Sequence, residues 1–205
     1  MTITFKEYQQ GALETAQFPT IGHRVVYPVV GLCGEAGELL EQIKKMYRDD
    51  DGVMTAERFE LIKKELGDIL WYVVIAAHEF HVAGEHLLGG YAVLNDFQLG
   101  VVTEVVPGET FAVSAYPRLS YALRLMKRAA EVGYLVDASI LAPQRYAVNP
   151  TLRDRVAHDL THVMRLLALI GDDMSLPLAD VAAANLEKLA SRKDRGKIGG
   201  SGDNR

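Results

Sequence analysis

The 205-residue sequence predicts an all-α protein, an antiparallel helix bundle, and three observations carry that prediction. Apolar residues recur with helical period through most of the chain, as in "GLCGEAGELLEQIKK" and "KKELGDILWYVV". Turn-forming stretches such as "RDDDGV" separate the periodic segments. One region alone breaks the helical pattern, "GVVTEVVPGETFAVSAYP" at 100–117, where β-branched residues flank Pro107-Gly108.

The elements follow in order. Helical period places helices at about 5–16, 27–48, 56–83, 118–136, 151–171 and 177–193. The acidic turn between the second and third closes at Gly52, short enough to make those helices antiparallel neighbours. Thr55 and Asp154 suit capping or first-turn positions, and Pro177 suits the first turn of the last helix. Residues 100–117 read as a small inserted β-hairpin, since Pro presets one turn position and Gly accepts positive φ at the next.

With 49% hydrophobic and 24% charged residues, the chain can bury a core and reads as a soluble protein. A net charge of −5 argues against a stable nucleic-acid partner. Cys33 is the sole cysteine, so no internal disulfide forms and a reducing compartment is expected. The start "MTITFKEYQQ" does not read as a secretory signal. The longest apolar run, "ILWYVVIAA" at 69–77, is far below the roughly 20 residues of a membrane span. A cytoplasmic protein without a membrane partner is the expectation.

The chain also resembles itself. Laying 64–94 over 158–189 sets Glu65 against Asp159 and Asp68 against His162, and upstream Glu38 meets Glu131 and Glu35 meets Arg128. A common offset of 93 or 94 residues suggests a duplicated helical unit, an internal pseudo-dimer whose second copy has lost most of its acids. The expected organisation is a first unit over 1–94 with the metal site, a linker and hairpin over 95–117, and a degenerate second unit with a basic tail over 118–205.

Glu35 and Glu38 are three residues apart, and so are Glu65 and Asp68, so each pair shares one helix face. Leu32, Leu39, Leu40, Leu66, Ile69 and Leu70 flank them, which puts the acids at the edge of the core-facing stripe. Carboxylates crowded there need a cation or a proton, and oxygen donors without His or Cys favour Mg²⁺ or Mn²⁺. The plainer alternative is a set of solvated charges paired with Lys44, Lys45, Lys63 or Lys64. Gly34, Gly37 and Gly67 beside the acids suggest close approach of a helix or a ligand.

These residues carry a resemblance. "GLCGEAGELLEQIKKMYRDD" followed by "KKELGDILWYVV" resembles the MazG-like members of the all-α nucleoside triphosphate pyrophosphohydrolases, a group that includes dimeric dUTPases and phosphoribosyl-ATP pyrophosphatase. The tail "NLEKLASRKDRGKIGGSGDNR" resembles the end of short MazG-like proteins, several of them phage-encoded. The resemblance implies Mg²⁺-dependent cleavage of a nucleoside triphosphate between the α and β phosphates, giving monophosphate and pyrophosphate. It implies metal ligation by Glu35, Glu38, Glu65 and Asp68, with Glu38 as the base that activates water.

Lys45 lies two helical turns beyond Glu38 and is a candidate for the departing pyrophosphate, or else a partner of Glu41. Glu41 itself is displaced around the helix. Tyr72, four residues after Asp68, either touches sugar or base or packs in the core beside Trp71. Asn185, Lys188, Arg192 and Arg195 form a basic arm suited to phosphate capture, which in the pseudo-dimer would close over the metals of the first unit. His78, His81 and His86 pair with no carboxylate as a metal site. Asp159 and His162 read as surface hydrogen bonding. Two other readings stand beside the hydrolase: a non-catalytic nucleotide-binding or protein-interaction bundle, and a ferritin-like di-iron bundle, against which no ExxH pair is found. A homodimer remains open as a partner state.

Overall fold

The computed structural model describes residues 3–88, 116–141 and 150–196. Among these residues there are seven α-helices: α1 (Phe5–Glu14), α2 (Val26–Asp49), α3 (Ala56–Glu79), α4 (Gly84–Leu87), α5 (Pro117–Val136), α6 (Pro150–Asp173) and α7 (Leu178–Asp194). A π-helical turn, Asp137–Leu141, extends α5. The described residues contain no strand, only an isolated bridge between Ile21 and His23. The expected hairpin at 100–117 falls almost wholly outside the described residues; Tyr116 and Pro117 begin α5.

Helices α2, α3, α6 and α5 form a four-membered ring, each packing on the next, with α2 against α5 closing it. Leu32, Leu39 and Ile43 of α2 meet Leu66, Ile69 and Val73 of α3 in one core continuous with Leu125 and Val132 of α5 and Leu160, Val163 and Leu167 of α6. Their complete burial supplies the main stabilising term for helices too weak to stand alone. No helix among the described residues is long and apolar enough to cross a membrane.

Helix ends follow local chemistry. Thr4 and Thr55 cap α1 and α3, accepting from the backbone N–H of Glu7 and Arg58. Asp154 sits in the second turn of α6 and pairs with Arg153 at 3.7 Å, while Pro177 immediately precedes α7. The third helix stops at Glu79, short of the expected 83, because His81 takes φ +57° and turns the chain out of the helix. The apolar pattern runs on regardless, since Val82 folds back and its N–H reaches Ala77 O at 2.8 Å. The first helix likewise ends early, at Glu14, where Thr15 Oγ1 donates to Ala12 O at 2.8 Å.

The same C-terminal device recurs in α6. Helices α3 and α6 both have 24 residues, and every landmark of α3 returns 94 residues later: Ala56 and Pro150, Glu79 and Asp173. The left-handed residue recurs as His81 and Ser175 (φ +57° and +54°). The closing hydrogen bond recurs as Val82 to Ala77 and Leu176 to Gly171, both 2.8 Å. Helices α4 and α7 start at Gly84 and Leu178, at the same interval. Each then crosses over: α7 lies chiefly on α3, and α4 lies on α6, where Thr161 donates to His86 O at 2.8 Å.

Candidate active site

The antiparallel pairing of α2 with α3 brings the two acid pairs together. Oxygens of Glu35, Glu38 and Glu65 lie within 4.8 Å of one another. Their environments form a gradient: Glu65 is buried, Glu35 half-buried and Glu38 exposed at the rim. Asp68 stands next to this trio but is turned towards α7, where Asn185 Nδ2 donates to its Oδ1 at 3.2 Å and the Lys188 ammonium pairs with the same oxygen.

Crowding of like charges has a measurable consequence. The Glu35 carboxyl is pushed up to about 8, first by burial and then by the charges of Asp68, Glu38 and Glu65, with a hydrogen bond to Glu65 acting in the same direction. Protonation and a hard cation are the two ways in which such a crowd of carboxylates can be relieved. Three converging carboxylates with no histidine or cysteine in the group fit a divalent cation with oxygen preference.

The other expected site residues divide. Lys188 and Asn185 reach the acids through Asp68. Lys45 is directed to Glu41 at 3.5 Å, and Lys44 pairs with the same residue, so neither touches the acid trio. Tyr72 packs so closely over α2 that a Cβ on Gly31 would sit 2.2 Å from its ring. The contact with Gly31, one turn before Glu35, puts Tyr72 on the Glu35 side of the acids, and burial, then Tyr27, Glu35 and Asp68, push its hydroxyl pKa up. Trp71 meets Tyr72 edge-on at 4.9 Å and donates to Thr15 Oγ1 at 3.1 Å, a packing role. Arg195 donates back to Ser191 O at 3.1 Å, and Arg192 is half-buried one turn beyond Lys188. Among the described residues nothing lies within 4 Å of a Cβ added at Gly34 or Gly37, whereas one added at Gly67 would sit 3.1 Å from Asn185.

Two features were not foreseen. Tyr8 of α1 is fully buried and its hydroxyl donates to Asn185 Oδ1 at 2.9 Å, across 177 residues of sequence. Burial and the Asp68 charge push the Tyr8 pKa up, which keeps it a donor. This fixes the amide so that its nitrogen, not its oxygen, faces Asp68. With Phe5 and Ala12, Tyr8 reads only as one member of an apolar stripe, and nothing local signals its hydroxyl partner. The second feature is a cleft of about 230 Å³ between α3 and α7, with Lys63, Lys64 and Lys188 on its walls.

Comparison with known proteins agrees with this geometry. Residues 29–85 match the MazG nucleotide pyrophosphohydrolase domain, a span that contains all four acids. Gene 37 protein of Mycobacterium phage L5 is 41% identical over 80 residues, covering 37% of this chain and 70% of that protein. The chain belongs to the MazG family. No solved structure matches it. The MazG match ends before α5, so Asn185, Lys188 and the whole second ring pair lie outside the matched span.

Proposed function

We propose that the chain is a Mg²⁺-dependent nucleoside triphosphate pyrophosphohydrolase, converting an NTP or dNTP to the monophosphate and pyrophosphate. The observation that carries the reading is the convergence of Glu35, Glu38 and Glu65 within 4.8 Å on the segment that matches the MazG domain.

In this proposal Glu35, Glu65 and Asp68, with Glu38 at the rim, hold the cation. When bound, Mg²⁺ (or Mn²⁺) neutralises charge on the phosphate oxygens and acidifies coordinated water. Glu38, the exposed member, takes the proton of the attacking water. The water oxygen bonds to the α-phosphorus, and the α–β bridging oxygen leaves with pyrophosphate. Asn185, held by Tyr8, fixes the orientation of Asp68. Tyr72 on the Glu35 side suits the nucleoside end, and Lys188 the phosphate end. The two-unit organisation belongs to the same proposal: residues 1–94 supply the acids, and 118–205 supply a degenerate partner whose terminal helix covers them. The 94-residue recurrence of helix ends and turns supports it.

The test is incubation with a panel of ribo- and deoxyribonucleoside triphosphates, with Mg²⁺, with Mn²⁺ and with chelator. Monophosphate plus pyrophosphate, lost in chelator, is the expected product pair. Diphosphate plus phosphate would point to a different bond, and saturable binding without turnover would favour a non-catalytic nucleotide-binding bundle.

A further inference from the structure

Two cations already sit on the acids assigned to the metal. Lys188 pairs with Asp68, and Lys64 Nζ lies 3.5 Å from Glu65 Oε1. Both ammonium groups also line the α3/α7 cleft, together with Lys63, Gly67, Asn185 and Glu60, which holds Lys63 at 3.7 Å. The three lysine side chains are 22–25% exposed and line the same cleft. Its volume of about 230 Å³ is below the ~300–1,000 Å³ typical of pockets that take a drug-sized ligand, so it suits part of a nucleotide.

We propose that this cleft seats the pyrophosphate end of the triphosphate, and that Lys64 and Lys188 transfer to it from Glu65 and Asp68 when a divalent cation takes those acids. The proposal rests on the hydrolase reading for the identity of the substrate. The physical basis is competition: an ammonium and a divalent cation cannot share a carboxylate oxygen without strong repulsion at a few ångströms. Lysine suits the exchange, because its compact charge rides on a flexible four-carbon stem with three rotatable donors. Gly67 lines the cleft, and a Cβ there would sit 3.1 Å from Asn185. Released together, Lys64 and Lys188 join Lys63 around the negative charge that builds on the leaving group.

Competition makes predictions of opposite sign for one substitution. In the full-length chain, Lys188→Met should bind Mg²⁺ several-fold more tightly in calorimetry without nucleotide, because the acid loses its internal competitor. The same variant, saturated with Mg²⁺, should bind inorganic pyrophosphate at least ten-fold more weakly. Lys64→Met should behave alike. Lys63→Met, whose partner is Glu60, should weaken pyrophosphate and leave Mg²⁺ affinity unchanged, and it remains informative if Lys188→Met does not fold. Exposed Lys127→Met should change neither.

Lysine variants that lose Mg²⁺ affinity, or that bind pyrophosphate as the parent does, would overturn the exchange. Parent turnover to monophosphate with unaltered KM in all three variants would overturn the cleft while leaving the hydrolase reading intact. Absence of parent turnover would end that reading, yet the opposed Mg²⁺ and pyrophosphate shifts would still report on the lysines.

Discussion

The two ring pairs, α2/α3 and α5/α6, hold equivalent positions with opposite solutions to one electrostatic problem. In the first, Glu35 faces Glu65, and burial, followed by the charges of the neighbouring acids, pushes the Glu35 carboxyl up to about 8. In the second, the sequence alignment at an offset of 93 or 94 residues sets Arg128 against Glu35 and Asp159 against Glu65, and Arg128 Nη1 lies 3.1 Å from Asp159 Oδ1. A covalently attached guanidinium thus supplies there the positive charge that, in the proposed function, a metal ion supplies to the first pair. Asp68 is likewise replaced by His162, whose Nδ1 contacts His158 O at 2.8 Å. The first pair leaves three carboxylates converging within 4.8 Å, whereas the second pairs its acid with its own arginine. A site able to bind must be left electrostatically incomplete.

The sharpest way to break this comparison uses the residue that both halves retain. Glu38→Gln should lower turnover by about 10²–10⁴-fold, the usual worth of a positioned base, with thermal stability unchanged. Glu131→Gln, its counterpart on α5, should leave the rate as it was. Equal loss in both would mean that α5 contributes to the chemistry; loss in neither would remove Glu38 as base.

Arg128→Ala probes the self-satisfied half. Asp159 is 8% exposed, so losing its charged partner should cost about 1.5–3 kcal/mol in urea unfolding. His158, 3.4 Å from the same oxygen, tempers the loss where it is protonated. Glu65→Gln on the opposite side should raise stability in chelator, because it removes one of the repelling charges. If both substitutions destabilise alike, the two halves are not electrostatic opposites.

The fold and the acid trio were legible in the sequence because both rest on short-range periodicity. Helical period fixes a face, i and i+3 acids share it, and the brief turn at Gly52 forces α2 and α3 to be neighbours. The offset of 93 or 94 residues read in the sequence is also the spacing between the ends of α3 and α6, and the internal duplication built on it belongs to the proposal. What stayed hidden was long-range. Nothing near Tyr8 announces a hydrogen bond to Asn185, and nothing near Lys64 announces a cleft walled by a helix over a hundred residues away. Lys45 keeps both of its expected alternatives: its spacing from Glu38 suits a phosphate, and it also lies 3.5 Å from Glu41.

The raised pKa of Glu35 sharpens the comparison through pH. Glu38, Glu65 and Asp68 face it as acids, with Lys64 and Lys188 as the opposing charges. Its folded pKa of about 8 lies above the ordinary 4.5, so the favourable contribution is complete below 4.5 and disappears as pH rises towards 8. In chelator the urea midpoint should therefore fall between pH 5 and 8, and saturating Mg²⁺ should flatten the slope. Glu35→Gln should flatten it as well, without metal. A slope that survives Glu35→Gln would assign the dependence to another group.

The smallest effects separate two glycines that look alike in sequence. Gly67 meets Asn185 at 3.1 Å, so Gly67→Ala should push α7 off α3, cost about 1–3 kcal/mol and loosen Asn185 from Asp68. Gly34 has open space around it, and its helical position means that alanine should gain about 0.5–1 kcal/mol. Gly34 is one turn before Glu38, on the same face, so its missing side chain leaves room where a substrate would pass the rim. Gly34→Ala should therefore stabilise the chain and raise KM together. A stabilised variant with unchanged KM would show that substrate does not approach α2 there, and would move the nucleoside end towards Tyr72 alone.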